Sequence, residues 1–215
     1  MKDMPIDDLI DELAGELRPV RPRRALGGSL LALAGWGAGA AGLLWLFGPR
    51  ADLMHGAMAP LPMLSFWLIA ALAFAATWSA LRMGSPGVGR DYGGWRWAGI
   101  AALALPLSAV AIGLGDTRAA MDAVHPGHGL DCTIKGLVAG LGVGAALFFW
   151  LKRGAPTSPT RAGWVVGFAA GAAGATILAL HCADDGMIHI ALWHGLVVLL
   201  SGLAGRLALP PLLRW

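Results

Sequence analysis

Residues 162–180 read AGWVVGFAAGAAGATILAL, a run with no Asp, Glu, Lys or Arg. About 20 mostly apolar residues suffice to cross the hydrocarbon core of a bilayer as a helix, and this stretch is of that length. Five further runs, at 25–47, 63–81, 97–115, 134–151 and 187–207, are equally free of charge in their middles. The segments between them carry breakers such as Gly48-Pro49, Ser85-Pro86-Gly87 and Ala155-Pro156-Thr157-Ser158-Pro159. The expected fold is therefore all-α: a polytopic membrane protein of six transmembrane helices. The composition agrees, since the 215 residues are 57% hydrophobic and 13% charged, with 32 Gly and 10 Trp. A soluble domain carries about a quarter charged residues. A direct nucleic-acid binder is excluded as well, because a net charge of +3 here comes from few charges and not from a basic stripe.

Orientation follows from the side on which Lys and Arg accumulate. With a cytoplasmic N-terminus, Lys2, Arg18, Arg21, Arg23, Arg24, Arg82, Arg90, Arg96, Lys152, Arg153, Arg161, Arg206 and Arg214 are inner. Arg50, Arg118 and Lys135 are outer, which completes the 16 basic residues. An even number of spans then puts both termini in the cytoplasm. Residues 1–24 form a cytoplasmic segment and tether, and residues 25–215 the six-helix membrane domain.

This topology gathers the reactive side chains on the outer side. His55, His125, His128, His181 and His189 lie in outer loops or helix ends, with His194 about a turn deeper. Cys132 and Cys182 are outer too, as are Asp131, Asp184 and Asp185. Each cysteine is about 30 Å from the inner face at 1.5 Å per residue. Gly136, Gly140 and Gly144 on the fourth span, and Gly163, Gly167 and Gly171 on the fifth, form ladders of the kind that let helix backbones approach closely. Both cysteines continue their ladders by near-whole numbers of turns, so the two are expected to face one another across the paired ladders. The same glycine faces would serve for pairing with a second copy of the chain.

A facing thiol pair in an oxidising compartment supports a reversible disulfide that responds to oxidant. It also supports a soft or borderline metal such as Zn, with His181, His189, His125, His128, Asp131, Asp184 and Asp185 as further ligands. No bound cofactor is otherwise required. The alternatives are a constitutive disulfide that staples two helices, or thiols unrelated to each other. His194, an ionisable group inside the last span, reads equally as a functional residue or as a hydrogen-bonding link to a neighbouring helix.

At the other end, Ile6, Leu9, Ile10, Leu13 and Leu17 recur at helical spacing and make one apolar stripe. Asp7, Asp8, Asp11, Glu12 and Glu16 cover the opposite face. A helix lying on an anionic bilayer would carry Lys and Arg there, and this one has none. So short a helix is unstable alone in water. It is expected to dock in a groove of a basic partner, one whose basic surface otherwise meets DNA, or to pack back on the protein's own inner loops. Arg18-Pro19-Val20-Arg21-Pro22-Arg23-Arg24 is a stiff basic tether whose charges sit among lipid headgroups.

Taken in order, Asp7-Asp8-Leu9-Ile10, Leu17-Arg18-Pro19-Val20, six spans, one Cys before the fourth, Arg153-Gly154-Ala155-Pro156, His181-Cys182-Ala183-Asp184-Asp185 and a closing Leu213-Arg214-Trp215 resemble the NrsF-like membrane anti-sigma factors over essentially the whole chain. The resemblance implies a protein of a bacterial inner membrane whose N-terminus, Asp7, Asp8, Leu9 and Ile10 included, sequesters an extracytoplasmic-function sigma factor. It also implies that Cys132 and Cys182 serve the response to heavy metals or oxidants. The competing reading is a small transporter or channel for metal ions or another solute, against which stands the lack of acidic or basic residues in mid-membrane. An enzyme has no support. There is no nucleophile–base constellation, phosphate-cradling glycine loop or metalloprotease motif, and a thiol oxidoreductase would need more than two Cys.

Overall fold

The computed structural model describes residues 6–16, 25–56, 60–84, 94–115, 118, 121, 123, 126–154 and 156–213. Among these there is no strand. A helix α1 (Ile6–Gly15) precedes α2 (Ala25–Phe47), a single turn α3 (Ala51–Met54), α4 (Pro60–Met83), α5 (Gly94–Gly115), α6 (Pro126–Lys152) and α7 (Pro159–Leu178). The last helix, α8, runs from Met187 to Leu212 and contains one π-helical turn, Ile190–His194. Five of the helices are long and apolar enough to cross a membrane: Ala25–Phe47, Pro62–Met83, Gly129–Lys152, Pro159–Leu178 and Met187–Leu212. The remaining expected run, 97–115, is helical as α5 and lies outside that set of five.

The bundle is built round α7. Its start is fixed locally: Ser158 caps it, accepting a hydrogen bond from the Arg161 N–H at 3.4 Å, and Pro159 supplies a preset first turn. Of its spanning window 83% is buried, against 11% for α2, so α7 is the core and α2 the periphery. It packs most extensively on α8, then on α6 and α4, while α2 leans on α6. Leu26, Leu30, Leu33 and Trp45 of α2 stay exposed, as expected of a surface that meets lipid.

The glycine ladders do close contacts, but not with each other. Gly163, Gly167 and Gly171 of α7 face α8, where a β-carbon would meet Gly205, Ser201 and Val198. The face of α7 that meets α6 carries Ala170 and Gly174 instead, and these receive Gly140 and Gly136. The expectation that the two ladders pair is therefore corrected. A small-residue stripe states that a face is approached closely, and leaves open by which neighbour. A helix surrounded on several sides has more than one such face. Gly35 and Gly39 of α2 close in the same way on Gly142 and Ala139 of α6.

Helix α6 also begins two turns earlier than hydropathy indicates, at Pro126 and not near residue 134, so Cys132 lies within the helix. The added turns are polar, which hides them from a hydropathy reading. They are held by packing of Gly129 on the Trp193 ring and by the Thr133 hydroxyl near the Gly129 and Trp193 carbonyls.

Substitution at Gly167 tests this arrangement. Gly167→Ala places a methyl group against the Ser201 carbonyl and Gly202 backbone, and should cost about 1–3 kcal/mol of stability in detergent. Gly37→Ala, where nothing lies within 4 Å, should be neutral or stabilising by up to about 1 kcal/mol. Equal unfolding midpoints for the two variants would contradict the packing.

Candidate functional site

The C-terminal end of α7 winds into a tight turn in which the N–H groups of His181 and Cys182 both donate to the Leu178 carbonyl, at 2.9 and 2.8 Å. That turn delivers Cys182 to the side of α6 where Cys132 waits. The two sulfurs are 3.7 Å apart, both thiols are free, and both residues are buried beside Leu178. On its other side the Cys182 sulfur is 3.6 Å from Nε2 of His189, near the start of α8. The sulfurs and an imidazole nitrogen of His189 all lie within 4.8 Å of one another. Nδ1 of His189 is 3.2 Å from Oδ2 of Asp184, and the other oxygen of Asp184 accepts the Gly186 N–H at 2.8 Å. This carboxylate therefore holds the ring and turns Nε2 toward the thiols.

The Cys182 thiol is acidified well below the ordinary range. The main cause is the S–H of Cys132, which donates to it; the imidazoles of His189 and His194 add to the effect, and burial opposes it. Thiolate, not thiol, is the nucleophile and the metal ligand.

The other predicted residues are elsewhere. His181, although next to Cys182, turns away: its Nδ1 donates to the Gly48 carbonyl at 2.8 Å, and its Nε2 accepts from Nζ of Lys135 at 3.3 Å. Asp185 accepts from Arg50 at 2.6 Å, and Asp131 pairs with Lys135 one turn along α6 at 2.6 Å. These three are committed to holding this end of the bundle together and are not grouped with the thiols. His125, like Leu17 at the other end of the chain, lies outside the described residues, as does the side chain of His128. In α1 no residue is buried, and Ile6, Leu9, Ile10 and Leu13 are all exposed, with Asp7 and Asp8 in the first turn.

Two residues carry more than the sequence reading gave them. Arg50 is buried and grips two carboxylates at once, Asp52 through Nε and Nη2 at 2.6 and 2.7 Å and Asp185 at 2.6 Å. That pairing holds the Asp52 carboxyl below the usual carboxylate range. Only the nearness of Asp52 to Arg50 in sequence signals it. His194 is 2% exposed, its ring centroid 6.0 Å from that of His189. A spacing of five residues does not suggest such a meeting on an α-helix.

The chain is thus a bundle of long apolar helices with a buried thiol pair at one end and an exposed amphipathic helix at its N-terminus. Residues 13–215 match the family described as NrsF, negative regulator of sigma F, and the chain belongs to that family. It is 35% identical to the anti-sigma-F factor NrsF of Caulobacter vibrioides over 99% of this chain and 100% of that protein. It is 29% identical to the probable anti-sigma-F factor NrsF of Azospira oryzae, again over 99% and 100% of the two chains. No solved structure matches it. The role of the family is regulatory and not enzymatic.

The acidified thiol has a measurable consequence. Treated briefly with methyl methanethiosulfonate, Cys182 of the reduced protein should be modified at a nearly constant rate from about pH 6 to pH 8. An ordinary thiol, of pKa about 8.5, gains close to tenfold per pH unit over that range. Peptide mass analysis reads the two sites separately, and a tenfold rise per unit at Cys182 would contradict the assignment.

Proposed function

We propose that this protein sequesters an extracytoplasmic-function sigma factor at a bacterial inner membrane and releases it when Cys132 and Cys182 react with a heavy metal or an oxidant. The observation that carries the reading is α1, an apolar stripe of Ile6, Leu9, Ile10 and Leu13 left wholly unburied by a bundle that buries its other small faces. Such a helix gains stability by laying that stripe in a partner's groove. Its acidic face, Asp7, Asp8, Asp11 and Glu12, suits a sigma factor, whose surfaces for DNA are basic. The relatives bear the name of anti-sigma-F factors, which supports the same partner class. With α5 counted as the sixth span, the excess of Lys and Arg puts both termini in the cytoplasm and the thiols outside. Lipid surrounds the bundle, and nucleic acid is reached only through the partner.

The route from the thiols to α1 runs through α2. The Cys182 turn is bonded to the residues just after α2: His181 to the Gly48 carbonyl at 2.8 Å, the Arg50 N–H to the Leu180 carbonyl at 3.0 Å, and the Arg50 side chain to Asp185 at 2.6 Å. The other end of α2 leads through the basic tether to α1. A change at Cys182 thus acts on the outer end of the helix whose inner end carries the partner. Shifting the partner from mostly bound to mostly free takes about 5.5 kcal/mol of differential binding.

Two measurements separate the parts of this proposal. Leu9→Asp/Leu13→Asp should weaken binding of the sigma factor by at least about 100-fold, near 2.7 kcal/mol; undiminished co-purification would refute the groove. Cys132→Ser/Cys182→Ser should keep the sigma factor bound while abolishing induction of its target genes by cadmium or peroxide. An unchanged induction curve would refute the sensor.

A further inference from the structure

Of the polar groups around the thiols, one is left without a partner. Neither ring nitrogen of His194 has a hydrogen bond, although the residue is 2% exposed. Burying an imidazole so costs free energy. The ring shares with Cys182, Asp184 and Arg50 a cavity of about 10 Å³, and it stands edge-on to His189. The backbone is arranged to put it there. In an α-helix residues five apart diverge by about 140° round the axis. The turn Ile190–His194 is π-helical, and closing a turn with i→i+5 hydrogen bonds brings residues five apart, here His189 and His194, toward one face.

We propose that Cys132, Cys182, His189 and His194 form a four-coordinate site for a thiophilic or borderline divalent cation of the zinc and cadmium type, with His194 as the fourth ligand. This rests on the reading of Cys132 and Cys182 as the responsive site, and it names what they take up. The distances fit. Two thiolates at about 2.3 Å from one tetrahedral ion lie about 3.8 Å apart, and a thiolate and an imidazole nitrogen about 3.6 Å apart. The observed separations are 3.7 Å for Cys132–Cys182 and 3.6 Å for Cys182–His189. A set of two sulfurs and two nitrogens selects tetrahedral zinc-like ions over magnesium or calcium, which need oxygen. The charges balance as well: the ion takes the place of the proton that Cys132 shares with Cys182, and two thiolates neutralise its two positive charges in a buried site. Asp184 on Nδ1 of His189 leaves the Nε2 lone pair for the metal, the usual carboxylate–histidine–metal arrangement.

The test uses the reduced full-length protein in detergent with Co²⁺ as the probe. The expected spectrum shows thiolate-to-cobalt charge transfer and the intense visible bands of a four-coordinate ion, both bleached by Zn²⁺ or Cd²⁺. His194→Ala should weaken Zn²⁺ binding by at least about tenfold and alter the cobalt bands. His194→Cys, which restores a ligand, should bring back four-coordination, and Asp184→Asn should cost about 10- to 100-fold. His181→Ala should bind as the wild type does. Unfolding midpoints of the variants distinguish lost ligands from lost fold. A wild-type spectrum and affinity in His194→Ala overturns the fourth ligand, and a reduced wild-type chain that binds no cobalt overturns the site. Sigma release is a separate readout: cobalt or cadmium bound without release refutes the regulatory reading and leaves the site standing. Release on metal challenge by a chain that binds no metal refutes the site alone.

Discussion

Close approach of helix backbones at α7 is the constraint on which the rest depends. Lipid tails are as apolar as the side chains they meet, so hydrophobic burial gives helices in a membrane little reason to associate, and contact between small residues takes its place. Gly163, Gly167 and Gly171 bring α7 onto α8, while Ala170 and Gly174 bring it onto α6. Such contacts leave no slack: helices packed through backbone atoms are kept in register along their length. The turn that ends α7 therefore has a fixed position, and so does Cys182 within it. The thiol pair is a product of packing far below it.

A second layer, at the end of the bundle that carries the thiols, is held by charge. A buried guanidinium is costly unless it is paired and hydrogen-bonded, and Arg50 is met by two carboxylates and anchored by its own N–H. Lys135 does related work beside it, pairing with Asp131, reaching His181 and lying 4.4 Å above the Phe47 ring. These contacts join the ends of α2, α6 and α7. They matter most for α2, which is little buried and meets the core only along the face of Gly28, Ala32, Gly35, Gly39 and Leu43.

What could be read in the sequence divides along the same lines. Apolar runs free of charge reveal helices able to span, because a bilayer penalises charge so heavily. The N-terminal stripe at Ile6, Leu9, Ile10 and Leu13 is legible since helical periodicity is a local property. That Cys132 and Cys182 lie side by side follows from their equal depth, although the ladders invoked to pair them meet other partners. Contacts between distant residues escaped: nothing local marks Asp185 as the mate of Arg50, or His181 as turned toward Gly48. The π turn escaped for the same reason. Its Trp193 packs on Gly129 of α6, a contact distant in sequence, and in a regular α-helix His189 and His194 would lie too far round the axis to act together.

The difference between the two layers decides where a signal can go. Coordination of a metal by a protein site of this kind releases about 10–16 kcal/mol in structural zinc sites at neutral pH, more than the differential needed to free a partner. That energy does work only where the structure can yield. The backbone contacts of α7 with α6 and α8 cannot open by degrees, because any separation forfeits many close contacts together. The Cys182 turn is different: it is joined to α2 by a few hydrogen bonds and ion pairs, and Asp52, Asp184 and Asp185 are partly open to water. Since Cys132, Cys182 and His189 already stand at metal-bound separations, it is the closing of His194 onto the ion that loads His189 and Asp184, and through the neighbouring Asp185 the grip on Arg50. The strain therefore passes to α2, the least buried of the five long apolar helices and the one whose N-terminal end leads to α1.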